Sequence, residues 1–190
     1  MKKTLLSLSV IAVTALTLSG TARSTDLDVN FIANIKETTC DMKLVGGSGS
    51  DTEQTIKIGD SQGKIGLDQV QAGTATASFK LAIVECPSSL TSLKTTVKGT
   101  QSGYLSTGIT NSKPVASGGS DYAAVTIARA SATNAPFTIN STTDSQRLVW
   151  SAAEITSKEV PLVATLKETQ TGKMTTGDFE AVVTFEFSYE

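Results

Sequence analysis

Two cysteines, Cys40 and Cys86, are the most reactive side chains of this chain, and no histidine is present to assist them. Without histidine neither a Ser-His-Asp nor a Cys-His catalytic arrangement can form, so a catalytic base would have to be Asp, Glu, Lys or Tyr. Two cysteines alone do not supply the Cys/His ligand sets that zinc usually takes. We therefore expect no metal and no cofactor.

Paired carboxylates are the remaining catalytic candidates. Asp26 and Asp28 form one pair and Asp51 and Glu53 another, and both pairs lie in polar stretches where charge usually serves solvation. The glycine-spaced run GGSGSD at 46–51 precedes no helical pattern, so it predicts a flexible loop and not a phosphate site. The sequence does not predict an enzyme.

The first residues are typical of a secretory signal peptide. Lys2 and Lys3 precede the apolar run LLSLSVIAVTALTL and a small-residue exit, which predicts cleavage after Ala22, with Ser24 as the alternative. A membrane anchor is disfavoured because the apolar run is short. Removing residues 1–22 lowers the formal net charge from −2 to −4. Such a chain has no basic patch for nucleic acid or for an anionic membrane.

Export changes the interpretation of the two cysteines. An even count in an oxidising compartment favours a Cys40–Cys86 disulfide. Closing a loop of about 46 residues would stabilise the fold by roughly 4 kcal/mol on the chain-entropy model. The alternative, a redox or nucleophilic cysteine, has neither a CxxC spacing nor a histidine to support it.

Short β-rich runs between turn residues predict a single all-β domain, a sandwich or a barrel. The one candidate helical turn lies around Ser151–Lys158, and the polar run 110–121 predicts a long loop. We predict strands at Leu27–Cys40, Gln54–Ile58, Lys64–Leu67, Ala75–Glu85, Leu93–Lys98, Tyr122–Ala128, Phe137–Ile139, Arg147–Trp150, Val160–Thr169 and Asp178–Tyr189.

Both ends of the exported chain alternate with period two, as a strand with one apolar face does. The apolar face of the N-terminal segment carries Leu27, Val29, Phe31, Ala33 and Ile35. The apolar face of the C-terminal segment carries Phe179, Ala181, Val183, Phe185, Phe187 and Tyr189. No predicted strand follows the second segment, so its far edge lacks an obvious partner. The first segment is either an ordinary first strand or an extension that pairs with another molecule.

These features together resemble the chaperone–usher fimbrial subunits, the type 1 pilin-like family of bacterial surface fibres. The matching motifs are VNFIANI followed by KETTC, the second cysteine in IVECP, VPLVATLKET, and the final strand FEAVVTFEFSYE with Tyr189 in the penultimate position. Ala33 departs from the family pattern, which usually has glycine two residues after the aromatic.

The resemblance implies an immunoglobulin-like sandwich that lacks its last strand and is completed by a donor strand from another subunit. Residues 1–22 would be the signal peptide, 23–35 the donor-strand extension and 36–190 the pilin domain. The groove beside the C-terminal strand would contact a periplasmic chaperone and then the next subunit's extension. Its implied contact residues are Phe179, Val183, Phe185, Phe187, Tyr189 and Glu190. Basic residues of the chaperone would hold the terminal carboxylate of Glu190.

The implied function is that of a structural subunit of a surface fimbria, contributing to cell adhesion. It would fold in the periplasm, pass an outer-membrane usher and polymerise with like or unlike subunits, with no nucleic-acid partner and no insertion into the membrane. The alternative is a single-domain carbohydrate-binding adhesin, since 168 residues leave no room for a separate lectin domain.

Overall fold

Ten strands and two short helices make up the regular structure of residues 39–189, the part of the chain that the computed structural model describes. Most turns between them contain glycine, serine or asparagine, as the sequence predicts. The strands are β1 Asp41–Val45, β2 Ser48–Gly49, β3 Gln54–Thr55, β4 Thr76–Glu85, β5 Leu93–Lys98, β6 Gly108–Thr110, β7 Ala123–Arg129, β8 Leu148–Val149, β9 Glu159–Glu168 and β10 Thr184–Tyr189. The helices are α1 Leu67–Gln71 and α2 Ala152–Ser157.

The larger sheet has five antiparallel strands in the order β1-β4-β9-β7-β6. The long central strand β9 pairs with β4 on one side and with β7 on the other, so Leu162 lies opposite both Phe79 and Arg129. Because side chains alternate along a strand, Val160, Leu162 and Ala164 all reach the core face. Strands β1 and β6 are the two edges of this sheet.

The smaller sheet has three antiparallel strands in the order β10-β5-β8. Its central strand β5 buries Leu93 and Val97, and Trp150 donates its indole N–H to the Thr95 hydroxyl at 2.9 Å. The inner faces of the two sheets share one apolar core, which confirms the predicted all-β sandwich. Its fully or nearly buried members are Phe79, Leu81, Ile83, Leu93, Val97, Ile109, Val125, Ile127, Phe137, Ile139, Leu148, Trp150, Val160, Leu162 and Ala164.

A smaller apolar cluster lies under helix α1, where Val70 packs on Ala75, Ala123 and Leu166. The predicted strand at Lys64–Leu67 is wrong, because this stretch turns into the helix. The Asp60 carboxylate accepts hydrogen bonds from the N–H groups of Gln62 and Lys64, and the Gln69 side chain accepts one from the Gly66 N–H. These side-chain acceptors stabilise a turn and a helix start instead of a ladder.

Further differences separate the fold from the sequence prediction. The predicted strand Asp178–Tyr189 is shorter in the structure, where β10 begins at Thr184. The run GGSGSD is not a loop throughout, because Ser48–Gly49 pairs with Gln54–Thr55 as a hairpin. Phe137 and Ile139 are buried but lie outside any strand, with the Phe137 N–H bonded to the Ile127 carbonyl. Strands β1 and β6 were not predicted, and the polar run around Val115–Ser117 contains a 3-10 turn.

The predicted helical turn near Ser151 is confirmed as α2. Ser151 and Glu154 form a reciprocal capping box, in which the Ser151 hydroxyl accepts from the Glu154 N–H and the Glu154 carboxylate accepts from the Ser151 N–H. The predicted N-terminal strand Leu27–Cys40 lies outside the described residues, apart from Thr39 and Cys40. Neither helix in the described part has the length or apolar run needed to cross a bilayer.

Candidate functional site

Strand β10 forms one edge of the smaller sheet. It pairs with β5 over its whole length, from Thr184 opposite Lys98 to Tyr189 opposite Leu93. Among residues 39–189 no strand pairs with its other edge. A row of backbone N–H and C=O groups on that edge is therefore available to another strand.

The C-terminal apolar face lies where the sequence predicts, but it is only half covered. Its side chains pack against the main core, with the Phe185 ring centroid 5.8 Å from that of Phe79. The facing β5 residues Leu93 and Val97 are almost fully buried, whereas every member of the C-terminal face keeps part of its surface exposed. The face consists of Phe179, Ala181, Val183, Phe185, Phe187 and Tyr189.

Strand β1 forms the corresponding edge of the larger sheet. Met42 and Leu44 point to the same core as Phe185 and Phe187, and they too are half-buried. In the described part of the chain β1 has one neighbour, β4. The partly covered apolar side chains of β1 and β10 thus line one side of the core, and we call this surface, formed by Met42, Leu44 and the C-terminal face, the edge groove.

Two bonds fix one end of the edge groove. Cys40 and Cys86 form the predicted disulfide, with their Cα atoms 4.2 Å apart, which joins the start of β1 to the end of β4. The Tyr189 hydroxyl donates a hydrogen bond to the Cys40 carbonyl at 3.3 Å, which connects the last residues of β10 to β1. Burial raises the pKa of Tyr189 above its ordinary value, so the hydroxyl keeps its proton and its role as donor.

The Asn111 side chain forms four hydrogen bonds at the other end of the edge groove. Its side-chain N–H group donates to the carbonyls of Ser120 and Asp178, at 2.9 and 2.8 Å. Its side-chain oxygen accepts from the N–H groups of Lys113 and Glu180, each at 3.0 Å. The asparagine therefore satisfies backbone groups of the segment that leads into β10 without a ladder.

Ser112 and Lys113 reinforce this anchor. The Ser112 hydroxyl and N–H both donate to the Glu180 carbonyl, and Lys113 forms an ion pair with Asp178. That ion pair raises the pKa of Lys113. Sequence reasoning predicted a polar loop here and missed its role. The available signal was an Asn-Ser pair next to a strand, since such side chains often bond to backbone groups.

The other candidate residues are the paired carboxylates and the residues near the two termini. Asp51 and Glu53 are exposed in the β2–β3 turn. In the described part of the chain no three His, Cys, Asp or Glu residues are grouped as metal ligands. Asp26, Asp28, the N-terminal face from Leu27 to Ile35, and Glu190 lie outside the described residues.

The described residues thus form a β-sandwich in which two edge strands carry partly exposed apolar side chains, and comparisons with known proteins agree with this class of fold. The sequence model of the family described as "Fimbrial protein" matches residues 29–190, so the chain belongs to the fimbrial protein family. The chain is 26% identical over 187 residues to the "Uncharacterized fimbrial-like protein YadM" of Escherichia coli (strain K12), covering 95% of this chain and 96% of that one.

Among solved structures, the fold is similar to the P pilus rod subunit PapA, with a TM-score of 0.52 and 15% sequence identity over 86% of this chain and 100% of that one. This likeness supports the immunoglobulin-like sandwich of pilus subunits. Family membership makes the chain a structural subunit of a fimbria, located at the cell surface and in contact with other fimbrial subunits.

Proposed function

We propose that this fimbrial subunit polymerises by donor-strand exchange, with the edge groove as acceptor and residues 23–35 of the next subunit as donor. The observation that carries the proposal is the half-covered apolar face of β10 beside a strand edge that no other described strand pairs. An added strand would give main-chain hydrogen bonds to that edge and apolar side chains to the core.

The donor segment has a suitable length and pattern. Leu27 to Ile35 extends over roughly 26 Å as a strand, and Phe179 to Tyr189 over roughly 33 Å. Four large donor side chains at about 1.5–3 kcal/mol each would contribute at most about 6–12 kcal/mol, and a whole domain is stable by about 5–15 kcal/mol. The four large donor side chains are Leu27, Val29, Phe31 and Ile35, and Ala33 completes the same face.

The same edge explains the need for a periplasmic chaperone before assembly. A free strand edge with apolar side chains is a template for aggregation. A chaperone strand occupies it first, contacts Phe179, Val183, Phe185, Phe187 and Tyr189, and holds the carboxylate of Glu190 with basic residues. An outer-membrane usher then exports the growing fibre, which contributes to cell adhesion. Residues 1–22 direct the chain into the periplasm, where the disulfide forms.

Two neighbouring valines allow a matched test of the acceptor. Val183 lies on the half-buried face, whereas Val182 points the other way and is 76% exposed. Val183→Asp puts a charge where the donor side chains must pack and is expected to abolish surface fibres, because an unpaired buried charge costs several kcal/mol. Val182→Asp is expected to leave fibres at wild-type level. Electron microscopy and quantification of sheared fibres measure both.

A second pair of variants tests the donor. Phe31→Asp changes the apolar face of the extension, and Asn30→Asp introduces the same side chain on its polar face. We expect the first to stop assembly and the second to be tolerated. Equal fibre yields from Phe31→Asp and Asn30→Asp, or from the two valine variants, would overturn the mechanism while leaving membership of the family intact.

A further inference from the structure

Two tyrosines, in the loops before β6 and β7, form an aromatic pair at the surface. The ring centroids of Tyr104 and Tyr122 are 5.6 Å apart, with an angle of 35° between the rings, and Tyr104 is 62% exposed. The Lys173 Nζ lies 5.8 Å from the Tyr122 ring centroid. We call these three residues the tyrosine patch. Its residues flank β6, β7 and β9, whereas strand β1 of the edge groove is at the opposite edge of the larger sheet.

Each loop that carries the tyrosine patch is held by hydrogen bonds. The Ser102 hydroxyl accepts from the Tyr104 N–H, and the Ser102 N–H donates to the Gly108 carbonyl, which closes the first loop. The Asp121 carboxylate accepts from the Tyr122 N–H at 2.8 Å, and the Tyr122 carbonyl accepts from the Thr169 N–H. The rings are therefore placed before any ligand arrives, which reduces the entropy lost on binding.

The loop with Lys173 is fixed by the Glu168 carboxylate. It accepts a hydrogen bond from the Met174 N–H at 2.8 Å, and the N–H groups of Met174, Gly172 and Lys173 together hold the pKa of Glu168 below its ordinary value. The carboxylate is thus occupied by backbone groups. Among residues 39–189 Lys173 has no ion pair, so its ammonium group is available to an anion.

The backbone of Tyr122 adds a second sign of a specialised position. Its φ of 53° lies in the left-handed region, which bulky residues rarely adopt. Such strain persists where the surrounding structure enforces it, and it concentrates at functional sites. Here the strained residue presents an aromatic ring at the surface and not in the core.

The size of the tyrosine patch favours a small ligand over a protein. Two tyrosine side chains offer on the order of 150–250 Å² each even when fully covered, whereas a stable protein interface covers about 800 Å² on each partner. Gly103, Asp121 and Gly172, which are exposed in the same three loops, add no apolar area. Within the described residues neither tyrosine hydroxyl has a hydrogen-bond partner, so both can bond to a polar ligand.

We propose that the tyrosine patch binds an acidic saccharide, with a pyranose ring against Tyr104 and Tyr122 and its carboxylate on Lys173. The apolar C–H face of the sugar covers the rings, and the tyrosine hydroxyls bond to its hydroxyl groups. None of the three patch residues belongs to the edge groove, so we expect the patch to stay open when a donor strand fills the groove. A fibre then displays many weak sites, whose combined avidity exceeds that of one site by orders of magnitude.

Saturation-transfer NMR on isolated fimbriae tests the proposal, with the methyl glycosides of N-acetylneuraminic acid and of glucuronic acid as probes. We expect binding of at least one probe with a dissociation constant on the order of 1 mM. Tyr104→Ala should abolish the signal, and Tyr104→Phe should keep it within about twofold because the ring remains. Lys173→Gln should weaken binding about tenfold, since one charge-assisted hydrogen bond is lost.

Val115→Ala, which changes a residue 57% exposed outside the tyrosine patch, is the control and should bind as wild type does. Methyl β-galactoside, a pyranoside without a carboxylate, should bind at least about tenfold more weakly than the acidic probe. Absence of transfer to both acidic probes overturns the proposal, as does unchanged binding in Tyr104→Ala. Altered fibre shape in Tyr104→Ala, with no sugar binding by wild type, would assign the patch to a subunit contact instead.

Discussion

Strands β9 and β10 have the same alternating apolar pattern in opposite surroundings. In β9, Val160 and Leu162 are fully buried, because β4 and β7 pair with the strand on both sides. In β10, Phe185 and Phe187 stay partly exposed, and β5 alone pairs with the strand in the described part of the chain. The pattern of a strand therefore shows which face is apolar, but it does not show how much of that face is covered.

The largest effect is expected at the disulfide, which holds the edge strand β1 to β4. Cys40→Ala/Cys86→Ala should lower the free energy of unfolding by roughly 4 kcal/mol, because the unfolded chain regains the freedom of a 46-residue loop. Denaturant unfolding of the oxidised protein and of the double variant measures the difference. A loss below about 1 kcal/mol would mean that the bond constrains the fold little.

Truncating one residue in each strand tests the contrast between β9 and β10 directly. Leu162→Ala should cost about 3 kcal/mol whether or not the edge groove is filled, because the residue is buried already. Phe187→Ala should cost more with the groove filled by a peptide of residues 23–35 than without it. Unfolding of both variants with and without that peptide gives the comparison. An equal cost of Phe187→Ala in the two conditions would mean that the peptide does not cover this face.

Removing the Asn111 anchor should have an intermediate effect. Asn111→Ala deletes four hydrogen bonds, two of them to the segment that precedes β10, and leaves backbone groups of Asp178 and Glu180 without that partner. This should cost about 2 kcal/mol. Asn134, exposed in a loop, supplies a matched control as Asn134→Ala, expected within about 0.5 kcal/mol of wild type. Thermal unfolding distinguishes the two variants.

The smallest effect is a pH dependence at α2, which lies between β8 and β9 in the chain. Burial raises the pKa of Glu154, but hydrogen bonds from Arg129 and from the Ser151 N–H, together with the Arg129 charge, outweigh it, and the pKa is lowered overall. Because its pKa is lowered in the folded state, the Glu154 carboxylate stabilises the fold at pH values above its unfolded pKa near 4.5. This contribution is lost as the pH falls through the folded pKa. The free energy of unfolding of wild type should thus exceed that of Glu154→Gln by about 1 kcal/mol at pH 7. This difference in the free energy of unfolding should narrow towards pH 3. A difference that stays constant would contradict a stabilising role of the ionised Glu154 carboxylate.

The elements that sequence alone predicts are those whose contacts follow local patterns. Alternation indicates the apolar face of β10, and the cysteine count indicates the disulfide. A capping box marks the start of helix α2. Strand β1 could also have been predicted, since Met42 and Leu44 alternate with charged residues, but the prediction ended its first strand at Cys40. The strand predicted at Lys64–Leu67 fails because the acceptor oxygens of Asp60 and Gln69 stabilise a turn.

The contacts that sequence could not predict join residues far apart in the chain. The Asn111 side chain bonds to Asp178, 67 positions away, and no periodicity relates the two. The Tyr104 and Tyr122 rings meet because loops at one edge of the larger sheet converge, which depends on the order of strands. Strand order is a property of the assembled sandwich, so these contacts appear only once the fold is known.

The most direct measurement of the central claim is the melting temperature of the subunit, lacking residues 23–35, as a function of added peptide. A peptide of residues 23–35 should raise the melting temperature by roughly 5–10 °C at 100 times its dissociation constant, because it binds the folded state alone. The same peptide with Asn30→Asp should act alike, and with Phe31→Asp it should have no effect. A melting temperature unchanged by the wild-type peptide, or raised equally by the Phe31→Asp peptide, would contradict the edge groove as the acceptor of a donor strand.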